Sequence, residues 1–305
     1  MTILLALLLD VCCGDPPNRF HPVAWMGRWL HWMRGRAPAT PRGQLLWGGG
    51  ITLSGLAATF LLGRALERLC AMLPRPLGVL LEAAALKTTL ALRGLSRAAD
   101  EVAQALAQGD LARARHLVSW HLVSRDTRQL TTSQIAAAAI ESVAENASDG
   151  LVAPLTAYAL GGLPAALAYR YANTADAMLG YRDPAHEWLG KIPARVDDAF
   201  NLLPARLTAA LIVIAARLVG EHSQTAWHTW RRDASKTSSP NAGHPMASMA
   251  GALQVHLEKT GHYHLGAGFP RPQATDIHRA RRILHVVAIL AAGLAVWARR
   301  RRAGP

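Results

Sequence analysis

Acidic side chains in the middle of the chain are spaced so that they would crowd one face of a helix. Glu141, Glu145 and Asp149 recur every four residues, so on a helix their carboxylates share one face. Gly150 follows directly and predicts a helix C-terminus, where the helix dipole disfavours negative charge. Because stacked carboxylates repel one another, we expect a cation such as Mg²⁺ to offset them.

A second group of acidic and amide side chains follows an apolar stretch. The peptides NTADAMLGYRD (173–183) and ARVDDAFN (194–201) contribute Asp176, Asp197 and Asp198. Together the two groups would supply the oxygen ligands that Mg²⁺ prefers. The expected metal ligands are Glu145, Asp149, Asp197 and Asp198.

The apolar stretch between the two groups decides whether they can share one site. Residues 151–172 are long enough for a transmembrane helix, but Gly161, Gly162 and Pro164 lie near the centre, where they would break the backbone. Two half-helices of about ten residues each are too short to cross a bilayer. The sequence therefore predicts a re-entrant helical hairpin that returns both acidic groups to one side of the membrane.

The segment KTSSPNAGHPMASMAGAL contains a candidate binding site for an anion. Lys236 precedes small polar residues, and Pro245 fits the first turn of an apolar helix. Free N–H groups at such a helix start attract anions, although an ordinary capped helix would show the same pattern. Neither GxxxxGK(S/T) nor GxGxxG occurs in the sequence, which argues against a nucleotide-binding loop of either type.

The composition indicates a membrane protein. The 305 residues are 51% hydrophobic and carry a net charge of +13, and the mean hydropathy is +0.12. Apolar spans flanked by arginines explain these values together. Arginine is spread over every polar segment without a helix-turn-helix pattern, which argues against nucleic acid as a partner. The predicted fold is all-α: a polytopic integral membrane helical bundle in the lipid bilayer, with a re-entrant helical hairpin and polar helical loops.

We expect one membrane-embedded domain over residues 1–305. A polar helical insertion at about 93–131 would form two helices joined at Gly109 and Asp110. A basic tail, 299–305, ends the chain and lies in the cytoplasm by the positive-inside rule.

Several other polar residues could serve either structure or function. Asp15 and His21 belong to a proline-rich loop that could present polar groups to a substrate. Glu82 and Lys87 are five residues apart, so they could pair only loosely on a helix that faces the bundle interior. His256, His262 and His264 could suggest a metal site, but they lack a cysteine or paired-helix pattern, so we expect surface or interface positions for them.

Six segments resemble the motifs of one family. They are GDPPNRFHPVAWMGR, VSRDTRQL, AAIESVAENASDGLVAPL, YRYANTADAMLGYRD, ARVDDAFNLLPARLTA and SPNAGHPMASMAGAL. On these segments the chain resembles the CbiB and CobD cobalamin biosynthesis proteins, the adenosylcobinamide-phosphate synthases. Parts of the motifs also resemble the AmpE signalling protein, but the agreement with the synthases is closer.

The resemblance implies a multi-pass membrane enzyme of the carbon–nitrogen ligase class. Such an enzyme joins a corrinoid substrate, adenosylcobyric acid, to aminopropanol or its O-phosphate through an amide bond, with ATP as co-substrate. Mg²⁺ would neutralise the phosphoryl group that is transferred. The enzyme would lie in the cell inner membrane with its active site facing the cytoplasm.

Residue types and positions suggest roles in that reaction. Glu141 or Asp176 would take a proton from the attacking amine, and Arg195 would hold phosphate or corrinoid oxygens during catalysis. The expected substrate-binding and phosphate-binding residues are Asp15, His21, Arg125, Asn146, Asn173, Tyr181, Arg182, Asn201, Arg206, Lys236, Ser239, Asn241 and Gly243.

Two other classes of membrane protein share some of these features. Mg²⁺-dependent prenyl or phospho-alcohol transferases also carry paired Asp-rich motifs, which DDAFN resembles superficially, but GDPP and SPNAG have no part in them. A permease or an AmpE-like sensor without catalysis could use the carboxylates as an ion path. Consumption of ATP would separate a ligase from both alternatives.

Overall fold

The structure, a computed structural model, describes residues 1–123, 126–180 and 187–302. Within these ranges nearly all regular structure is helical. The α-helices are α1 (Thr2–Cys13), α2 (Pro22–Arg34), α3 (Pro41–Met72), α4 (Arg75–Lys87), α5 (Leu92–Ala107), α6 (Leu111–His121), α7 (Thr132–Ala147), α8 (Ala153–Leu179), α9 (Lys191–Leu218), α10 (Ser223–Asp233), α11 (Gly243–Leu253) and α12 (Ala274–Arg302). The other elements are a π-helical turn at Ser148–Val152, a 3₁₀ turn at Ala234–Lys236, and a hairpin of antiparallel strands β1 (Leu257–Lys259) and β2 (Tyr263–Leu265).

Four helical runs in the described part of the chain are long and apolar enough to cross a membrane. They are α3, α9, α12 and the run Thr132–Leu179 that α7 and α8 form together. Large apolar side chains of α3, such as Leu46, Leu53 and Leu61, are exposed, as expected for a surface that faces lipid. The predicted fold class is confirmed: the chain is an all-α polytopic membrane protein.

The chain divides into two compact units. The first comprises Met1–Ala91, Ala153–Asn201 and the described residues from Ala292 onward. Its core forms where α2 and α3 pack against α8, with Leu30, Ile51 and Tyr171 buried there. The Tyr171 hydroxyl donates to the Ile51 carbonyl at 2.9 Å. Gly55 of α3 lies against the Tyr171 ring with no room for a side chain, so the two helices can approach closely.

The helix α8 breaks where the sequence predicts. Gly162 has φ 73° and ψ −163°, a conformation that is essentially restricted to glycine, and Pro164 follows without an N–H group. The Leu163 N–H, which the break frees, donates to Glu67 Oε1 at 2.9 Å. The break is therefore confirmed, while its return to the same side of a bilayer stays a prediction.

Two arginines from the end of α12 bind carbonyl groups beside this break. Arg299 donates to the Tyr158 carbonyl at 3.1 Å, and Arg302 donates to the Leu160 carbonyl. In an unbroken helix the Leu160 carbonyl would accept from the N–H of residue 164, which proline lacks. The arginines at 299–302 form the last turn of α12, and residues 303–305 lie outside the described residues.

The second unit comprises Leu92–Val152 and Leu202–Ala291. Here α5 and α6 form the predicted helical hairpin, which turns at Gly109 with φ 74°. Asp110 caps α6 by accepting from the Arg113 N–H at 2.9 Å. The helices α5, α6 and α11 and the strand β1 all pack against α7, so α7 organises this unit.

One prediction for the end of α7 is wrong. The helix starts with a capping box, in which Thr131 and Gln134 each bond the other's backbone N–H. Gly150 does not end it, because the π-helical turn at Ser148–Val152 carries the helix on into α8. A π-helical turn accommodates an extra residue without stopping the helix, and such turns are frequent at functional sites.

Candidate functional site

Predicted amide and carboxylate side chains of α8 and α9 form a hydrogen-bonded cluster in the first unit. Asp197 is 8% exposed, and its two oxygens accept from Asn201 Nδ2 at 3.0 Å and from Asn173 Nδ2 at 3.4 Å. The Tyr169 hydroxyl donates to Asn201 Oδ1 at 2.9 Å. Helical spacing explains the arrangement, because Tyr169 lies one turn before Asn173 on α8 and Asp197 lies one turn before Asn201 on α9.

Two further carboxylates add negative charge to this cluster. Asp176 and Asp198 lie close enough to Asp197 to act on it electrostatically. The Asp176 carboxylate also lies over Gly180, where an added side chain would collide with it. We call Asn173, Asp176, Asp197, Asp198 and Asn201 the acidic–amide cluster.

The acidic–amide cluster has a donor set that fits a hard divalent cation. Carboxylate and amide oxygens are ligands that Mg²⁺ accepts, and a cation beside a buried carboxylate is electrostatically favourable. Arg170 contributes some positive charge at the edge by donating to Asn173 Oδ1 at 3.4 Å. Tyr169 and Arg170 are missing from the residues predicted from sequence, although their spacing from Asn173 places them on the same side of α8.

Asp15 and His21 lie together in a second polar cluster of the first unit. His21 caps α2: its Nδ1 accepts from the Val23 N–H at 3.2 Å, which leaves Nε2 to donate to Asp15 Oδ1 at 3.3 Å. Lys87, buried in α4, donates to the same Asp15 oxygen at 2.6 Å. Burial opposes ionisation of Asp15, but the hydrogen bonds from His21 and Lys87 outweigh it and hold the pKa of Asp15 at about 2.

Glu82 and Lys87, whose spacing allows only a loose pair, each contact residues of other elements. Besides Asp15, Lys87 approaches Asp10 to 3.8 Å, and that aspartate is 1% exposed. Glu82 accepts from the Tyr158 hydroxyl at 2.6 Å and lies 3.7 Å from Arg299. Each residue finds its partners on other elements, which the spacing within α4 cannot indicate.

The three carboxylates of the α7 region have different surroundings in the second unit. Glu141 is buried, Glu145 is exposed, and Asp149 is partly buried in the π-helical turn. That turn interrupts the four-residue spacing before Asp149 is reached. Asn146 donates to the Ser142 carbonyl at 3.0 Å. The roles of Glu141 as a base and of Glu145 and Asp149 as metal ligands stay predictions.

Lys236 forms an ion pair with a buried carboxylate, and its expected role in binding a substrate anion stays a prediction. Asp233 is fully buried, and its oxygens bind Lys236 Nζ at 2.6 Å, Arg232 Nη2 at 2.8 Å and the Gly266 N–H at 2.8 Å. Burial opposes ionisation, but these three donors hold the pKa of Asp233 at about 2. Asp233 was not predicted, because an aspartate beside arginine and lysine in a helix is a common surface pattern.

The predicted residues Ser239, Asn241 and Gly243 shape the start of α11. Ser239 Oγ accepts from the N–H groups of Asn241 and Ala242, both at 3.2 Å. Both N–H groups precede α11, whose N-cap residue Ala242 makes no side-chain cap, so the capped helix and the anion site both stay predictions. Gly243 has no room for a side chain, since an added Cβ would collide with the Ala234 carbonyl oxygen.

His244 and Arg206 add a polar surface to the first turn of α11. Arg206 donates to Asn241 Oδ1 at 3.4 Å, and Trp230 Nε1 donates to His244 Nδ1 at 2.9 Å. Burial, followed by the charge of Arg206, lowers the pKa of His244, so its ring is neutral at neutral pH. His244 was not predicted, because one histidine in a loop carries no specific signal.

Four predicted residues remain. Arg195 is exposed on α9, two residues before Asp197 and therefore on a different face of the helix. Arg125, Tyr181 and Arg182 lie outside the described residues.

Comparisons with known proteins agree with one another. The family described as CobD/Cbib protein matches residues 3–290. The chain is 42% identical over 264 residues to a probable cobalamin biosynthesis protein CobD from Methanothermobacter thermautotrophicus, with 87% of this chain and 86% of that protein covered. It is 38% identical to cobalamin biosynthesis protein CobD from Klebsiella pneumoniae and 37% identical to cobalamin biosynthesis protein CbiB from Salmonella paratyphi B, each with 98% of both chains covered. No solved structure matches the chain.

Proposed function

The chain belongs to the CobD/CbiB family and has a role in cobalamin biosynthesis, and from this we propose that it is an ATP-dependent amide ligase. Its substrates would be adenosylcobyric acid and either aminopropanol or aminopropanol O-phosphate. The product would be adenosylcobinamide or its phosphate. The acidic–amide cluster is the observation that carries the proposal, because phosphoryl transfer from ATP depends on Mg²⁺ and this cluster offers carboxylates to hold it.

Within the acidic–amide cluster, carboxylates would bind Mg²⁺ and amides would orient them. We assign Asp197 and Asp198 as ligands, and Asn173 and Asn201 as residues that orient Asp197 through their hydrogen bonds. When bound, Mg²⁺ would neutralise the negative charge of the phosphoryl group in transit. In the second unit, Glu145 and Asp149 stay candidate ligands.

Amide formation requires activation of the corrinoid carboxylate. In the proposed route, the γ-phosphoryl group of ATP moves to a carboxylate oxygen and ADP leaves. The amine nitrogen then attacks the carbonyl carbon, the bond from that carbon to the phosphate-bearing oxygen breaks, and inorganic phosphate leaves. Asp176 or Glu141 would take the proton that the amine loses.

Exposed arginines would bind the anionic parts of the substrates. Arg195 and Arg206 are both exposed, and a guanidinium group suits bidentate contacts to phosphate or carboxylate. We further propose that the protein lies in the cell inner membrane with its active site open to the cytoplasm, where ATP is available.

Purified protein in detergent tests the proposed reaction. ATP should be converted to ADP and phosphate only when adenosylcobyric acid and the amino alcohol or its phosphate are both present, and the amide should form in equal amount. If an acyl phosphate forms, isotopic oxygen placed in the corrinoid carboxylate should appear in the released phosphate.

Other results of the same assay would support the alternative classes. Transfer to a lipid acceptor without ATP would favour a prenyl or phospho-alcohol transferase. An absence of turnover with either set of substrates would favour a sensor or a permease.

A further inference from the structure

The β-hairpin of the second unit brings three metal-binding side chains to one face. Glu258 of β1 pairs directly with His264 of β2, and His256 lies two residues before Glu258, so the three side chains point to the same side. Leu257 pairs with Leu265, and both are fully buried on the opposite side. The apolar pair thus fixes the hairpin against the unit and leaves the polar face accessible.

Distances on this polar face suit a common metal ion. One potential ligand atom from each of His256, Glu258 and His264 lies within 4.8 Å of the other two. His256 Nε2 and His264 Nδ1 are 3.2 Å apart. Two nitrogens at this separation can each lie about 2.1 Å from one ion, with an angle of about 100° at the metal, close to tetrahedral geometry.

We propose that His256, Glu258 and His264 bind one divalent transition metal ion of the Zn²⁺ type, with a fourth position open to water or to a substrate oxygen. Two imidazoles and one carboxylate are a ligand set that Zn²⁺ accepts. The imidazoles distinguish this site from the acidic–amide cluster, whose oxygen ligands favour Mg²⁺.

Backbone and side-chain anchors hold the proposed ligands in place. The His256 N–H donates to the Pro270 carbonyl at 2.8 Å. In the turn between the strands, Thr260 accepts from Gln134 of α7 at 3.4 Å. The ligands therefore sit on a hairpin that is tied to the central helix of its unit, which favours a defined coordination geometry.

Metal binding by the full-length, untagged protein tests this site. After chelator treatment, calorimetry should show one equivalent of Zn²⁺ bound, and excess Mg²⁺ should not displace it. His264→Ala and Glu258→Gln should each weaken Zn²⁺ binding by about 100-fold or more. His262→Ala is the matched control, because it removes an exposed histidine from the turn of the same hairpin and should leave the affinity unchanged.

The alternative is that His256 and His264 simply share a hydrogen bond. In that case the wild-type protein would bind no Zn²⁺, or would bind it as tightly as the His264→Ala variant does, and either result would overturn the proposal. Circular dichroism shows whether each variant folds. Glu258→Gln preserves side-chain size, so unchanged affinity in this folded variant would also count against the site. The readout is metal binding, which does not depend on the proposed ligase reaction.

Discussion

At the scale of single residues, Asp197 is buried and has two other carboxylates nearby. This arrangement opposes folding, because the charges repel one another and are removed from water. Its amide partners satisfy lone pairs but cannot neutralise its charge. A buried carboxylate in such surroundings costs free energy unless a cation offsets it. Destabilising groups of this kind persist where activity requires them.

Replacing Asp197 should therefore separate activity from stability. Asp197→Asn keeps the side-chain size and removes one repelling charge, but it keeps only one acceptor oxygen and so loses the longer hydrogen bond, from Asn173. Because these two effects oppose each other, the melting temperature in detergent should change little. Formation of the amide product should fall by about 100-fold or more if Asp197 holds Mg²⁺.

The control for this prediction is the same substitution on a helix cap. Asp110→Asn should change neither turnover nor melting temperature, because asparagine caps a helix as well as aspartate does. Normal turnover in the Asp197→Asn variant would remove this residue from the mechanism.

The break in α8 shows how, at the scale of helices, an interrupted helix keeps its backbone groups bonded. Buried N–H and C=O groups that a break frees need partners, and side chains supply them here. Glu67 accepts the Leu163 N–H, while Arg299 and Arg302 donate to carbonyls on the other side of the break. The break is thus held by residues from both α3 and α12.

Gly162→Ala should destabilise the protein by about 1–3 kcal/mol, since its backbone conformation is strained for any residue with a side chain. The new methyl group would also collide with the Glu67 carboxylate. Thermal unfolding in detergent measures the effect. Gly293→Ala provides the control, because its methyl group would meet no atom within 4 Å and alanine favours a helix interior. A Gly162→Ala variant that melts at the wild-type temperature would contradict the need for glycine there.

At the scale of the whole molecule, the arginines in the last turn of α12 predict the orientation of the protein in the membrane. Four consecutive arginines, Arg299 to Arg302, end the last spanning run, and positively charged segments next to a span remain in the cytoplasm. We expect a fluorescent protein fused to the C-terminus to fluoresce and alkaline phosphatase fused there to be inactive. The opposite pattern would place the C-terminus outside and would contradict the proposed cytoplasmic face. Recovery of both fusions in the membrane fraction is the control.

Sequence patterns that extend over one or two helical turns predicted several local structures of this chain. The turn at Gly109, the glycine-dependent break at Gly162 and the oxygen-rich segments around Asn173 and Asp197 all follow from neighbours in sequence, and the structure contains each of them. Where a pattern misled, as at Gly150, a π-helical turn replaced the expected helix end. Local sequence does not distinguish these two outcomes, because glycine is compatible with both.

Local spacing also specifies the all-α class and the apolar spans, because backbone hydrogen bonds in a helix join residues only four apart. Partnerships between residues far apart in the sequence were decided by packing alone: Lys87 with Asp15, Tyr158 with Glu82, and the Gly266 N–H with Asp233. Such pairs depend on the register at which helices and strands meet. That register is set by the summed shape and burial of many side chains, so no short segment of the chain contains it.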